Sequence, residues 1–325
     1  MAHPIHEANS NSPYGHLTRA EFYRKHNILH DESFMTDDQN LKIFTQSWQL
    51  QPSSTYSGPL KGLIAMIHGY TSESGWLSEL TAVAMAKSGF FVSSLDLPGH
   101  GLSEGPPEHI TDLGPLIRAC IKCFDWARAQ HPGLPNFLYG ESLGGALAVL
   151  VALEQKAAWR GLVLAGAMCE VSGKFKPPWP LERFLPAVAA VAPAWRISMT
   201  EPPSRRSYRE GWKRELAEGS PNRRSCGRAT AATGVQLLRA CERVRRECGG
   251  LEAALLVVHG GDDAICDLEG ARRVYEEAGS GDKSLRVYED MWHMWIGEPN
   301  DRVDEVFGEI MTWIEARADL GNNGN

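Results

Sequence analysis

The sequence predicts an α/β protein: a mostly parallel central sheet, helices on both faces and a helical insertion over one edge of the sheet. Three observations predict it. Short apolar runs alternate with helical patterns through most of the chain, the rhythm of strand–helix–strand crossovers. Some of these runs, such as Gly62-Leu-Ile-Ala-Met-Ile67, are continuously apolar, as strands buried on both faces are. Between about Ser172 and Gly250 that rhythm stops and no strand is evident.

Residues 1 to 35 are polar and carry His3, His6, His16, His26 and His30 at irregular spacing, which reads as a loose N-terminal arm rather than a metal tract. Leu41 to Trp48 reads as the first strand, followed by turn residues from Pro52 to Pro59. Gly62–Ile67 is the next strand. A helix over Leu77 to Lys87 stops at Gly89, and Phe90–Leu95 is a strand that runs into the turn-rich Asp96–Gly105. Asp112 to Gln130 is an amphipathic helix. Gly161–Ala165 and Ala253–Val258 are strands, Leu268 to Ala278 a helix, Ser284 to Tyr288 a strand and Val303 to Arg317 a closing helix with an apolar stripe. The expected organisation is an N-terminal arm (1–35), a core (36–172 and 251–325) and a helical cap (173–250) over the sheet edge where open α/β sheets bind ligands. The cap begins with Pro177-Pro-Trp-Pro180 and an apolar stretch, Phe184 to Trp195, able to line a pocket or touch a membrane surface. Its arginines are interleaved with Glu210, Glu215 and Glu218, as on a solvated charged face. A helical run over Val235 to Cys248 closes it.

Composition narrows the function. A net charge of −7 and a pI near 5.9 argue against a nucleic-acid binder. Seven scattered cysteines, with Cys120-Ile-Lys-Cys123 inside a helical pattern and no second pair beside it, read as reduced thiols rather than a zinc site. No apolar run reaches the ~20 residues that span a bilayer, and neither a signal peptide nor a C-terminal targeting signal is evident. The expected setting is cytoplasmic.

The chemistry centres on Gly140-Glu-Ser-Leu-Gly-Gly145. It follows the apolar run Phe137–Tyr139 and opens the small-residue run Ala146–Leu150. Strand, sharp turn and helix around Gly-x-Ser-x-Gly form a nucleophile elbow, with the hydroxyl of Ser142 exposed. Glycine is needed at 140 and 144, where a Cβ would strike the neighbouring strand or helix. A serine needs a base, and the base needs a third group to hold it. Downstream, His259-Gly-Gly-Asp-Asp263 and Asp290-Met-Trp-His293 follow strand ends on the same sheet edge. His293 is the expected base. Asp262, Asp263 and Asp267 are candidate acids, with Asp263 preferred for its depth in the turn. Asp96 precedes the nucleophile and reads as a loop anchor; His68, His100 and His259, each before a glycine, read as packed imidazoles. The oxyanion donors expected are the backbone N–H groups of Leu143 and of Tyr70, in the loop after an early strand.

Taken together, His68-Gly-Tyr70, Asp96–Gly105, Gly140–Gly145, His259–Asp263 and Trp292-His293 with Gly297-Glu-Pro299 resemble the plant monoacylglycerol lipase-like α/β-hydrolases, a group that includes lysophospholipases and caffeoylshikimate esterases. The resemblance spans about Thr18 to Ile314. It implies an α/β-hydrolase fold with a helical cap, ester hydrolysis without a cofactor or metal, a Ser142–Asp263–His293 triad, and Tyr70 and Leu143 as oxyanion donors. The implied partner is a small-molecule ester. Three positions depart from the group's pattern: Leu143 stands for methionine, the acid segment carries an additional Asp262, and Met294 and Trp295 stand where small residues are usual. Two readings stand for these bulky residues: with Met291 and Trp292 they wall the pocket and favour a flat aromatic ester over a long acyl chain, or Trp295 packs into the core. Acyl transfer and a non-catalytic ligand receptor are the alternative functions on this fold.

Overall fold

The computed structural model describes residues 2–52, 58–176, 180–197, 202–224 and 228–322. Cys226, residues 177–179 of the proline-rich start of the cap, residues 53–57 of the turn segment and the last three of the tail lie outside the described residues. Eight strands form one sheet: β1 (Ile28–Thr36), β2 (Lys42–Leu50), β3 (Gly62–Ile67), β4 (Phe90–Leu95), β5 (Asn136–Glu141), β6 (Gly161–Ala165), β7 (Ala254–Gly260) and β8 (Lys283–Tyr288), in the order β1-β2-β4-β3-β5-β6-β7-β8. β1 and β2 are antiparallel to their neighbours, and from β4 onward every pair is parallel. All six residues of β3 and of β4 are buried, which is why β3 reads as an unbroken apolar segment; β4 buries Ser93 and Ser94 as well. The expected strands from residue 62 onward match within two residues at each end.

Helices cover both faces. α1 (Arg19–His26) starts at a capping box between Thr18 and Glu21 and ends at Asn27, in the left-handed region at φ 56°. α2 (Leu77–Lys87), α3 (Gly114–Gln130) and α4 (Leu143–Glu154) follow β3, β4 and β5. α4 is apolar on every side because the sheet, α3 and the cap enclose it. The cap segment holds α5 (Leu181–Val191), the single-turn α6 (Ser204–Ser207), α7 (Gly211–Glu218) and α8 (Ala231–Glu247), capped by Thr230. Near the end of α8, Ala240, Cys241 and Val244 join the main core, so this helix belongs to cap and core alike. α9 (Leu268–Glu277) and α10 (Asn300–Asn322) complete the second half.

The N-terminal residues differ from the loose arm expected of them. β1 pairs with β2 along its whole length, from Ile28 opposite Leu50 to Thr36 opposite Lys42. As an edge strand, exposed at most positions, it carries a polar sequence and so left no apolar run to read. Farther upstream, His3 and Ile5 are buried in the core cluster around Trp295 and Phe307. Ile5→Ala is therefore expected to cost about 2–5 kcal/mol of stability, read from the urea midpoint. A loose arm would give no change.

Candidate active site

β5 ends at Glu141 and α4 starts at Leu143, so Ser142 makes the whole turn. Its backbone sits at φ 52°, ψ −121°, which costs a non-glycine residue about 1–3 kcal/mol. The surroundings impose it. A Cβ on Gly144 would lie 2.1 Å from the Ile67 carbonyl oxygen, and one on Gly140 would lie 2.4 Å from that of Gly144. The elbow is thus pressed against β3 by backbone contact, and the Ser142 carbonyl is locked by the N–H groups of Gly145 and Met168, both at 2.9 Å.

Three residues distant in sequence meet there. Ser142 Oγ lies 3.0 Å from His293 Nε2, and His293 Nδ1 lies 2.7 Å from Asp263 Oδ2. The second oxygen of Asp263 accepts from the N–H groups of Ile265 at 2.8 Å and Cys266 at 2.9 Å. Burial works against a charged carboxylate here. The charge of His293, its hydrogen bond and the charge of His259 more than offset it and hold the Asp263 pKa below the ordinary carboxylate range. Asp262 is exposed, and Asp267 caps α9 through the N–H of Glu269. Of the three candidate acids, only Asp263 reaches the imidazole.

The other expected residues sort as follows. Asp96 is a loop anchor, accepting from the N–H and hydroxyl of Ser74 and from the N–H of Leu102. His68 accepts from the N–H of Leu97 at 3.0 Å, and burial lowers its pKa to about 4. His100 is buried, with its pKa lowered to about 3, and His259 packs beneath Asp263. The loop after β3 lies directly on the serine: a Cβ on Gly69 would come within 3.1 Å of Ser142 Cβ. Tyr70, next in that loop, lines the cavity above Ser142 and His293. Leu143 is the first residue of α4, so its N–H has no partner within the helix. Asp263, Cys266 and His293 are spaced closely enough to be metal donors, but Asp263 and His293 already engage each other and burial raises the Cys266 pKa well above that of a free thiol.

The wall expected from residues 291–295 is largely absent. Met294 does line the cavity, whereas neither Trp292 nor Trp295 does. Trp295 is 2% exposed, stacks on Phe307 and donates to Tyr139 Oη at 2.8 Å. Tyr139 in turn donates to Glu141, whose pKa burial raises. The indole therefore ends a polar chain beneath the elbow rather than facing a ligand, a role that Tyr139 and Glu141 share and that no motif signalled. The histidine loop is also stitched to the cap base. The Met294 N–H donates to Ser207 O at 2.9 Å, the Glu210 N–H donates to Gly297 O at 3.0 Å, and the buried Lys213 ammonium donates to Glu298 O. Glu298 itself accepts the Trp292 N–H at 2.6 Å.

Sheet order, elbow and cap define an α/β-hydrolase. The chain belongs to the serine aminopeptidase S33 (Hydrolase_4) family, whose profile matches residues 58–300. It is 31% identical to human monoglyceride lipase over 80% of this chain and 84% of that one. It is 26% identical to Arabidopsis thaliana caffeoylshikimate esterase over 94% of this chain and 91% of that one. Among solved structures it shares the fold of a soluble variant of monoglyceride lipase from Saccharomyces cerevisiae, with a TM-score of 0.76 at 18% identity, covering 88% of this chain and 95% of that one.

Asp263 also makes the site pH-sensitive in stability. Its folded pKa lies below the unfolded value of about 3.9, so its contribution is complete above that value and fades as pH falls through the folded pKa. Asp263→Asn is expected to cost about 1.5–3 kcal/mol at pH 7. The gap between variant and wild type should begin to narrow below about pH 4 and close as the pH passes the folded pKa, as read from urea midpoints across that range.

Proposed function

We propose that the chain is a carboxylic ester hydrolase acting through an acyl-enzyme on Ser142, with esters that join an apolar acid to a polar alcohol as substrates. The row Ser142–His293–Asp263 carries this reading. Ser142 Oγ attacks the ester carbonyl while His293 Nε2 takes its proton, and Asp263 holds the imidazolium in place. The oxyanion is received by the N–H groups of Tyr70 and Leu143. Collapse expels the alcohol, which takes the proton back from His293. Water then repeats the sequence on the acyl-enzyme and releases the acid.

Two branches of the cavity support the substrate class. The branch over Ser142 shares Tyr70, Val171, Phe175, Pro203 and Leu237 with a second branch lined by Leu185, Ile197 and Leu238. The second is an apolar slot between α5 and α8, suited to an acyl or aryl group. By name, one relative, monoglyceride lipase, acts on a glyceride ester and another, caffeoylshikimate esterase, on a caffeoyl ester of shikimate. On the cap, Phe184, Val191 and Trp195 are exposed at 59%, 89% and 51%, which suits contact with a lipid surface that delivers apolar substrate. Among the described residues no helix is long and apolar enough to cross a membrane. The six described cysteines are buried and unbridged, which fits a reducing setting such as the cytoplasm.

Ser142→Ala is expected to lower kcat on p-nitrophenyl butyrate by about 10⁴-fold or more with an unchanged thermal midpoint; retained turnover would reject the assignment. A panel pairing long-chain monoacylglycerols with cinnamate-type esters ranks the acids. With Trp295 in the core, the acyl esters are expected to match or exceed the aromatic ones in kcat/KM.

A further inference from the structure

Tyr70 and cap helix α8 meet at one backbone carbonyl. The Tyr70 hydroxyl donates to Glu108 O at 3.2 Å, in the loop between β4 and α3. The Thr233 hydroxyl, in the first turn of α8, donates to the same oxygen at 3.0 Å. Thr233 Oγ1 also accepts the Ile110 N–H at 2.9 Å and lies 2.9 Å from Thr230 Oγ1. A hydroxyl has one proton to give, and that of Thr233 is on Glu108. Thr230 therefore donates to Thr233, and the His109 ring, 2.9 Å away, donates to Thr230. The bonds run in one direction, from His109 through two threonines to the Glu108 carbonyl. Thr230, Thr233 and Glu108 are all buried, where an unmade hydrogen bond is costly.

The backbone at both ends of this link is of a kind that must be held. Glu108 sits at φ 53° and Thr71, directly after Tyr70, at φ 67°. Residues with a side chain keep such conformations only where their surroundings impose them. The Tyr70 ring is seated edge-on to buried His100, with centroids 5.7 Å apart. With ring and hydroxyl both fixed, the side chain sets the direction of the Tyr70 backbone N–H. Gly69 already lies against Ser142, so a small rotation at Tyr70 would turn that N–H away from the oxyanion. Thr233 itself lines neither branch of the cavity. We infer that Thr233 is a positioning residue: through the Glu108 carbonyl and the Tyr70 hydroxyl, α8 sets the aim of the oxyanion donor at Tyr70. This rests on the hydrolase reading with Tyr70 as an oxyanion donor, and it adds a residue that acts on the reaction without touching substrate.

The test combines turnover of p-nitrophenyl butyrate with the affinity of an alkyl trifluoromethyl ketone, whose adduct with Ser142 carries the oxyanion. Thr233→Val and Tyr70→Phe should each lower kcat about 10- to 100-fold and weaken the ketone by a similar factor. KM should stay within about twofold of wild type. Thr233→Ser, which keeps the hydroxyl, should keep most of the rate. The double variant should be no slower than the slower single one, because both cut the same link. Unchanged kcat in either single variant overturns the inference. So does a loss confined to KM, or effects that multiply in the double variant. If Thr233→Val does not fold, Thr233→Ala takes its place in the same comparisons. If the wild type does not cleave the ester, or Ser142→Ala still does, the hydrolase reading itself has failed.

Discussion

The contact on which the site depends is the one between the start of α4 and the end of β3. Glycine at 144 lets the helix backbone come so close to the Ile67 carbonyl that no side chain could fit between them. That approach fixes Ser142 in a left-handed turn, and the turn aims Oγ away from the sheet. From there the rest is positional. β7 and β8 run parallel to β5, so the loops after them open on the same edge and deliver Asp263 and His293 to the hydroxyl. Strain at one residue is offset by burial across the whole of α4, all of whose interior positions are packed.

Polar groups under and beside this row are there to hold it. Trp295, Tyr139 and Glu141 form a buried hydrogen-bonded chain below the elbow, and Asp263 is pinned by two backbone donors. Each would be costly if left unpaired in a low-dielectric interior. Joined together, they leave His293 little room to turn. The chamber above is different in character, being apolar toward α5 and α8 and polar toward the loop after β3.

Much of this was legible in the residues. Strands buried on both faces announce themselves as apolar runs, and the elbow, Asp263 and His293 follow from glycine spacing and from the order of strand ends. β1 was not legible, because an edge strand exposed to solvent carries Asp31, Glu32 and Ser33 where a central strand would carry valine or isoleucine. His3 and Ile5 were hidden for a related reason: a short segment that packs against Trp295 by shape leaves no periodic trace. Trp295 stays ambiguous in the sequence because proximity to His293 says nothing about which way an indole points; the structure puts it in the core. Lys213 carries no motif at all, and its significance lies in its burial against the Glu298 carbonyl.

The seam between the cap base and the histidine loop has a mechanical meaning. Main-chain bonds at Met294 and Gly297, with Lys213 on Glu298, fasten residues 207–213 to the loop that presents the imidazole. A lid swinging as a rigid plate about any other edge would drag His293 off Ser142 as it rose. Access and the contact of His293 with Ser142 would then be separate phases of a cycle, with the imidazole drawn off while the door stands ajar and restored only on closure.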